Sequence, residues 1–442
     1  MTKTLRALSI GIALAVSSAA TLADDLHQIY QKALEKDPAL RQAIASRDAA
    51  MEATGVSMAA LLPQIALSAE FYSQSSNRDA REVDNQNATL SLSQSIYDRS
   101  NWVNLDRSDK VASQAETSYQ AALQDLMLRV STAYFDVLSA GDQLEFVQAT
   151  KKAIARQLEQ TKQRFAVGLT AITDVHEAQA EYDQSVADEI VALNDLENSY
   201  EGLREITGMY HKDLNVLNTK RFSPVQPEPK QSADWQNLAT NQNLNLIISQ
   251  LGVDIAMQDI ELAQSGHWPT FSLFAQLNTS DNDYDDPSVA ASASYSHYTD
   301  NVIGIQMDLP IYSGGATSAS TRVARANYVE ASEQLNETYR GVMRGVINAY
   351  NNVKASISAV KAFEQTVISR ESSLQATEAG FEVGTRTIVD VLDSTRNLFD
   401  AKSQLSSARY NYILSVLQLK FAAGNLSEQD IVLINNGLTR PS

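Results

Sequence analysis

The sequence predicts an internally duplicated, mixed α/β membrane protein in which very long helices carry four short strands, two in each half. Three features point there. An imperfect repeat runs through the chain, one stretch almost free of helix breakers is too long for a compact domain, and four segments alternate apolar and polar side chains.

At the N-terminus, Lys3 and Arg6 precede the apolar run 7–16, the small residues 17–20, and Thr21, Leu22 and Ala23. This is the pattern of a secretory signal peptide cut near Ala23, so residues 1–23 are expected to be removed on export. The chain has 35 bases and 53 acids in 442 residues, a formal charge of −18; without Lys3 and Arg6 it has 33 bases against 53 acids, or −20. Such a balance argues against nucleic acid, which needs clustered Lys and Arg to meet phosphate. Cysteine is absent. Disulfides, thiolate metal sites, a cysteine nucleophile and a lipid anchor on an N-terminal cysteine are therefore excluded. No later stretch offers about 18 uncharged apolar residues, so membrane entry would have to be by strands.

The repeat is sharpest where Phe165, Val167, Gly168, Ile172, Asp174 and Val175 match Phe381, Val383, Gly384, Ile388, Asp390 and Val391, all at an offset of 216. Leu40 corresponds to Leu246, Pro63 to Pro269, SQSIYD (93–98) to DLPIYS (308–313), and STAYFDV (131–137) to INAYNNV (347–353). The offset drifts from 206 to 216, so loops differ while the order of elements is kept. The stretch 219–232 holds three of the nine prolines and reads as an extended linker. The expected division is a first repeat 24–218, the linker 219–232, a second repeat 233–430 and a C-terminal tail 431–442.

Each half reads as a long helix, two strands, a very long helix, a glycine break and a helix. Leu26, Ile29, Tyr30, Ala33 and Leu34 show the helical spacing, as do Leu123, Leu126, Val130, Ala133, Tyr134 and Val137. Residues 102–165 contain no proline and only Gly141. Continuous, they would span about 95 Å at 1.5 Å per residue, which suits a coiled coil or a tube.

The strands are expected at about 62–75, 86–98, 268–280 and 300–312. Ile65, Leu67, Ala69 and Phe71 alternate with polar or small residues, and so do Ala88, Leu90, Leu92 and Ile96. The second half repeats this with Phe271, Leu273, Ala275 and Leu277, then Ile303, Ile305, Met307, Leu309 and Ile311. Each run has the length of a tilted membrane strand, although a one-faced sheet on a soluble core would also fit any single one. Four strands cannot close a barrel, and an open edge is forbidden in lipid. Inserted strands would therefore need several copies of the chain to close the wall. Tyr97, Trp102, Trp268 and Tyr312 at one level, and Phe71 and Tyr72 towards the other, suit interfacial girdles. The connections 75–85 and 280–301 are polar and acidic.

Residue by residue, DLHQIYQKALEKDPALR, QRFAVGLTAITDV, LPIYSGG, EAGFEVGTRTIVDVLD, ARYNYILSVLQLK and LSEQDI carry a resemblance over nearly the whole exported chain, and VGTRTIVDVLD (383–393) is its most specific part. The sequence resembles the outer membrane efflux protein (outer membrane factor) family. That resemblance implies a homotrimer with a 12-stranded β-barrel continuous with a 12-helix α-helical barrel, four strands per chain. It implies an exit duct for multidrug efflux and type I protein secretion, set in the outer membrane lipid and extending into the periplasm. The implied partners are a periplasmic membrane-fusion adaptor and an inner-membrane pump of the RND, MFS or ABC type.

Within the resemblance, Gly168 and Gly384 mark the turns of two helical hairpins that close the periplasmic mouth, where a glycine permits a backbone reversal. Asp390 and Asp393 line the constriction, and threefold symmetry makes two carboxylate rings that attract cations. Arg386 pairs with Asp174 and Thr173, while Gln157, Glu378 and Arg409 stand where further links between helices occur. Phe381 replaces the family's usual tyrosine, whose hydroxyl reaches the counterpart of Asp174, and Glu177 gives the first hairpin an acidic pair of its own. No catalytic residue, cofactor or structural metal site is expected. His27, His176, His211, His267 and His297 are scattered without ligand spacing or triad order. The alternative from another class is a soluble periplasmic coiled-coil structural or adaptor protein without a pore.

Overall fold

The computed structural model describes residues 24–76, 81–284 and 297–440. The expected signal peptide, 1–23, lies outside the described residues, as do the tips of both strand connections, 77–80 and 285–296, and residues 441–442. In chain order the elements are α1 (Leu26–Lys36), α2 (Pro38–Ala59), β1 (Gln64–Ser76), β2 (Arg81–Tyr97), α3 (Arg99–Ala166), α4 (Ile172–Thr207), β3 (Val216–Leu217), α5 (Ser232–Gln242), α6 (Leu244–Ser265), β4 (Thr270–Tyr284), β5 (His297–Asp308), α7 (Ala316–Glu382), α8 (Ile388–Ala423), α9 (Glu428–Asn435) and β6 (Leu438–Thr439).

The helix expected at the start of each half is in fact two. Pro38 has no N–H to give and restricts the residue before it, so the first breaks at Asp37. The Asp37 carboxylate then caps α2 by accepting from Leu40 N at 2.7 Å, and it also accepts two bonds of 3.0 Å from the Arg129 guanidinium. In the second half Asn243 takes that place, accepting from Leu246 N at 3.1 Å and donating to Ala422 O at 2.8 Å. By contrast α3 is unbroken over 68 residues and α7 over 67, each about 100 Å long.

The four long strands form one antiparallel sheet in the order β1-β2-β4-β5, with β1 and β5 as free edges. Its register sets Leu67 beside Leu90, Leu90 beside Leu277, Leu92 beside Ala275 and Ala275 beside Ile303, which gathers the apolar residues of all four strands into one band. That band is bare: Leu67, Ile303 and Ile305 are 75%, 77% and 67% exposed. A sheet on a soluble core would cover these side chains. The opposite face is polar, with Thr89 donating to Asn278 at 2.8 Å across β2 and β4. The strands outrun their expected ends into the connections because the backbone ladder continues through polar residues such as Asn85, which bonds Asn282.

Below the sheet, the main core lies where α1, α3, α5, α7 and α8 meet, around Tyr134, Phe135, Trp235, Tyr410 and Leu417. Phe135 meets Tyr134 edge-on and Tyr410 at a tilt, at centroid distances of 5.6 Å each. The Tyr134 hydroxyl finds Asn215 O at 2.6 Å, while burial pushes its proton affinity well above the ordinary phenol range. Between Leu217 and Ser232 there is no helix or strand, but the segment is tied down. Tyr412 Oη accepts from Val225 N (2.9 Å) and donates to Val225 O (3.0 Å), and Trp235 Nε1 donates to Pro229 O (2.7 Å). The stretch expected as a C-terminal tail carries the end of α9 and β6, which pairs with β3.

Candidate functional site: the two hairpin ends

Two coiled hairpins, α3–α4 and α7–α8, end in matching turns. Gly168 and Gly384 have φ of +77° and +78°, the left-handed region in which a side chain is strained. Leu169 N closes back on Arg164 O at 2.9 Å, and Thr385 N on Gly380 O at 2.8 Å. The following helices start differently. Thr387 caps α8 in a reciprocal box: its hydroxyl accepts from Asp390 N (3.2 Å), while Asp390 Oδ2 accepts from Thr387 N (2.8 Å) and Thr387 Oγ1 (2.9 Å). At the equivalent place α4 has Ala171, which offers no side-chain cap, and Asp174 instead accepts from the Thr170 hydroxyl.

These bonds define the charges. The backbone and hydroxyl of Thr387, followed by Arg386, hold the Asp390 carboxyl below the usual carboxylate range. Arg386, in the turn just before the Thr387 cap, has Nη1 3.9 Å from Asp390 Oδ1 in the first turn of α8, and its side chain is 61% exposed. Within one chain Asp174 and Arg386 are thus not paired with each other. Thr173, Glu177 and Asp393 are exposed. Arg409 lies away from the turn, 3.7 Å from Glu364 inside the second hairpin.

The structure does bring Gln157, Glu378 and Phe381 together. With Gln160, Gln163 and Arg164 they line an open cleft of about 630 Å³ between the hairpins. Arg164 stands 4.6 Å over the Phe381 ring, so the position without a tyrosine hydroxyl holds a cation on its aromatic face instead. Gln157 Oε1 and Arg164 Nε are buried there without a hydrogen-bond partner. Next to the cleft, Ile154, Leu158, Ala178, Ile388, Val391 and Leu392 form a small buried cluster that joins the two hairpins.

Sequence reasoning missed several links higher up. Arg396 of α8 pairs with Glu181 of α4. Lys151 and Glu189 meet at 2.5 Å within the first hairpin. Asp142 accepts from Ser406 and, at 2.7 Å, from Tyr410. None of these follows from spacing along one helix, and the repeat does not duplicate them, since Arg396 and Glu181 correspond to Ala180 and Asn397.

The family described as Outer membrane efflux protein matches residues 29–209 and 235–425. The chain is 50% identical to the outer membrane protein TolC of Vibrio cholerae serotype O1, over 99% of each. It is 28% identical to the alkaline protease secretion protein AprF of Pseudomonas aeruginosa, over 92% of this chain and 85% of that one. Its backbone resembles that of the Campylobacter jejuni CmeC outer membrane channel, with a TM-score of 0.78 at 16% identity, covering 99% of this chain and 98% of the other.

Proposed function

The chain belongs to the outer membrane efflux protein family, and from that premise we propose that its hairpin ends are the periplasmic gate of an outer-membrane exit duct. Three copies form one 12-stranded barrel in the outer membrane, continued into the periplasm by a 12-helix tunnel. The duct serves multidrug efflux and type I protein secretion. It works with a periplasmic membrane-fusion adaptor and an inner-membrane transporter that supplies the energy. The single observation that carries this is the open sheet: four strands, two free edges and an uncovered apolar band. Lipid tolerates no unpaired edge, so the sheet must close on further copies. A soluble coiled-coil adaptor has no use for that band. The duct itself moves cargo and performs no chemistry.

At the mouth, Asp390 and Asp393 of three copies form two acidic rings. The cap hydrogen bonds that keep Asp390 ionised also hold its carboxylate in place. Such rings favour cations and are plugged by multivalent ones. In planar bilayers the closed channel is expected to be cation-selective and blocked by a trivalent cation added from the hairpin side. Asp390→Ala with Asp393→Ala should abolish the block. A block that survives the double substitution refutes the rings.

The gate is held by weak polar links between hairpins of neighbouring copies. Arg386 is exposed and only loosely held by Asp390, so it is free to reach Asp174 and Thr173 of the next copy. In the cleft, the orphaned Gln157 Oε1 lies near Glu378 and Phe381, where a polar group from outside would satisfy it. Exposed pairs contribute about 0–1 kcal/mol each, a size that lets several hold a mouth that still opens. Asp174→Ala with Arg386→Ser is therefore expected to raise single-channel conductance several-fold. Conductance equal to wild type would rule the latch out.

A further inference from the structure

On the polar face of the sheet, β4 and β5 set an aromatic side chain against a glycine. Phe274 and Gly304 are register partners, and Phe274 shares its face with Gln276 and Asn278. A Cβ built on Gly304 would stand 2.8 Å from Phe274 Cζ and 3.0 Å from Cε1, so the tip of the ring lies on the glycine backbone. A glycine inside a strand weakens it, and an aromatic neighbour laid over the bare backbone compensates. On its other side Phe274 pairs with Ser93, whose own side chain holds that place. Gly304 is the only glycine in the four long strands, so it alone offers the ring a bare wall.

The duplication shows what else the chain places at this position. β1 maps onto β4 with an offset of 206, as Pro63 does onto Pro269, and β2 onto β5 with an offset of 215, as Ile96 does onto Ile311. Gln64 with Ser93 thus becomes Thr270 with Asp308, and both are register pairs. By the same shifts Phe274 corresponds to Ser68 and Gly304 to Thr89, again a register pair. One repeat fills the position with two small hydroxyl side chains, the other with one large ring and no side chain at all. In the closed barrel the two arrangements alternate around the lumen at the level of Ile303.

We propose that Gly304 is a positioning residue for transport: lacking a side chain, it keeps the Phe274 ring flat on the wall and so sets the bore that bulky cargo meets inside the barrel. This rests on the trimeric duct described above, in which the polar face lines the lumen. A side chain at 304 displaces the ring and not the backbone, because the atoms it strikes are the free end of Phe274. The ring must then stand away from the wall. Three copies put three upright rings at one level, and the narrowest level of a pore decides what passes. With the rings flat, bulky extended cargo passes; with the rings raised, only small cargo does.

The chain contains no cysteine, so one reporter thiol, Gln306→Cys, reads the bore without background. Gln306 is exposed on the same face, two residues from Gly304 towards the helices. N-ethylmaleimide and maleimide-polyethylene glycols of graded size are added outside intact cells that carry this parent channel. Labelling by the largest conjugate that still reacts with the parent is expected to be about tenfold slower with Gly304→Thr, while N-ethylmaleimide reacts at an unchanged rate. Phe274→Ser alone should change neither rate. Phe274→Ser with Gly304→Thr writes the first repeat's pair into the second and should restore the parent's rates. Unheated gels check that each variant assembles; if Gly304→Thr does not, Gly304→Ala, whose Cβ meets the same ring, takes its place. Equal labelling by the bulky conjugate with and without the side chain at 304, or no rescue by Phe274→Ser, overturns the role of Gly304 and leaves the duct intact. A parent thiol that no conjugate reaches in an assembled trimer means instead that this face does not line a lumen, and both readings fall.

Discussion

Ile303→Arg is expected to remove the protein from the outer membrane. Ile303 lies mid-strand in β5, 77% exposed, in register with Ala275 on the apolar face. An arginine facing lipid near the midplane costs about 2–4 kcal/mol, so three copies lose roughly 6–12 kcal/mol, comparable to the whole stability of a typical domain. Gln276→Arg is the matched control. Gln276 sits beside Ala275 on β4 but points to the polar face, where water and counter-ions reach a charge. Outer-membrane fractionation with unheated gels reads the outcome. The first variant should lose the membrane-borne trimer and the second retain it. Equal tolerance of both would mean that the band is ordinary solvated surface and that the sheet does not enter lipid.

That contrast also separates what a sequence can carry from what it cannot. Dyad alternation identified which face of each strand is apolar, because the period is a property of the backbone alone. The same holds for the unbroken α3 and α7, which need only the absence of proline and glycine, and for the turns at Gly168 and Gly384, which need only one left-handed residue. The breaks at Asp37 and Asn243 were written just as locally, in an acid before a proline and in an N-cap asparagine, but apolar spacing continuing past them concealed the interruption. Asp390 is a subtler case. Its spacing from Asp393 marks a shared helix face, yet the T-x-x-D sequence from Thr387 also marks a capping box, and the structure makes the cap its first partner. Arg396 with Glu181, and Arg164 over Phe381, join helices more than 200 residues apart in sequence. Their pairing depends on how two coils cross, and the repeat does not copy it.

Gly424→Ala should damage the fold more than any other single methyl group considered. Gly424 ends α8 with φ +80°, and a Cβ there would stand 2.3 Å from Gln242 O and 2.6 Å from Asn243 Cα. Both obstacles are backbone, held in place because Asn243 caps α6 and donates to Ala422 O. Gln124 Nε2 adds bonds to Gly424 O at 3.0 Å and Leu426 O at 3.1 Å, so relaxing the corner would break the junction of α3, α6 and α8. Gly208 provides the comparison within the same molecule. It ends α4 at the equivalent position with φ +67°, but the nearest atom to its added Cβ is Lys36 Cβ at 3.9 Å. Gly208→Ala should therefore cost only the left-handed penalty of about 1–2 kcal/mol. Gly424→Ala adds a steric conflict that only backbone movement relieves, and overpacking of that kind typically costs a further 1–3 kcal/mol. Thermal dissociation of the trimer should drop modestly for the first and far more, or to no recoverable trimer, for the second. If the two variants melt together, the glycine of α8 serves only its own backbone angle, and its close approach to Gln242 and Asn243 contributes nothing to holding the junction of α3, α6 and α8.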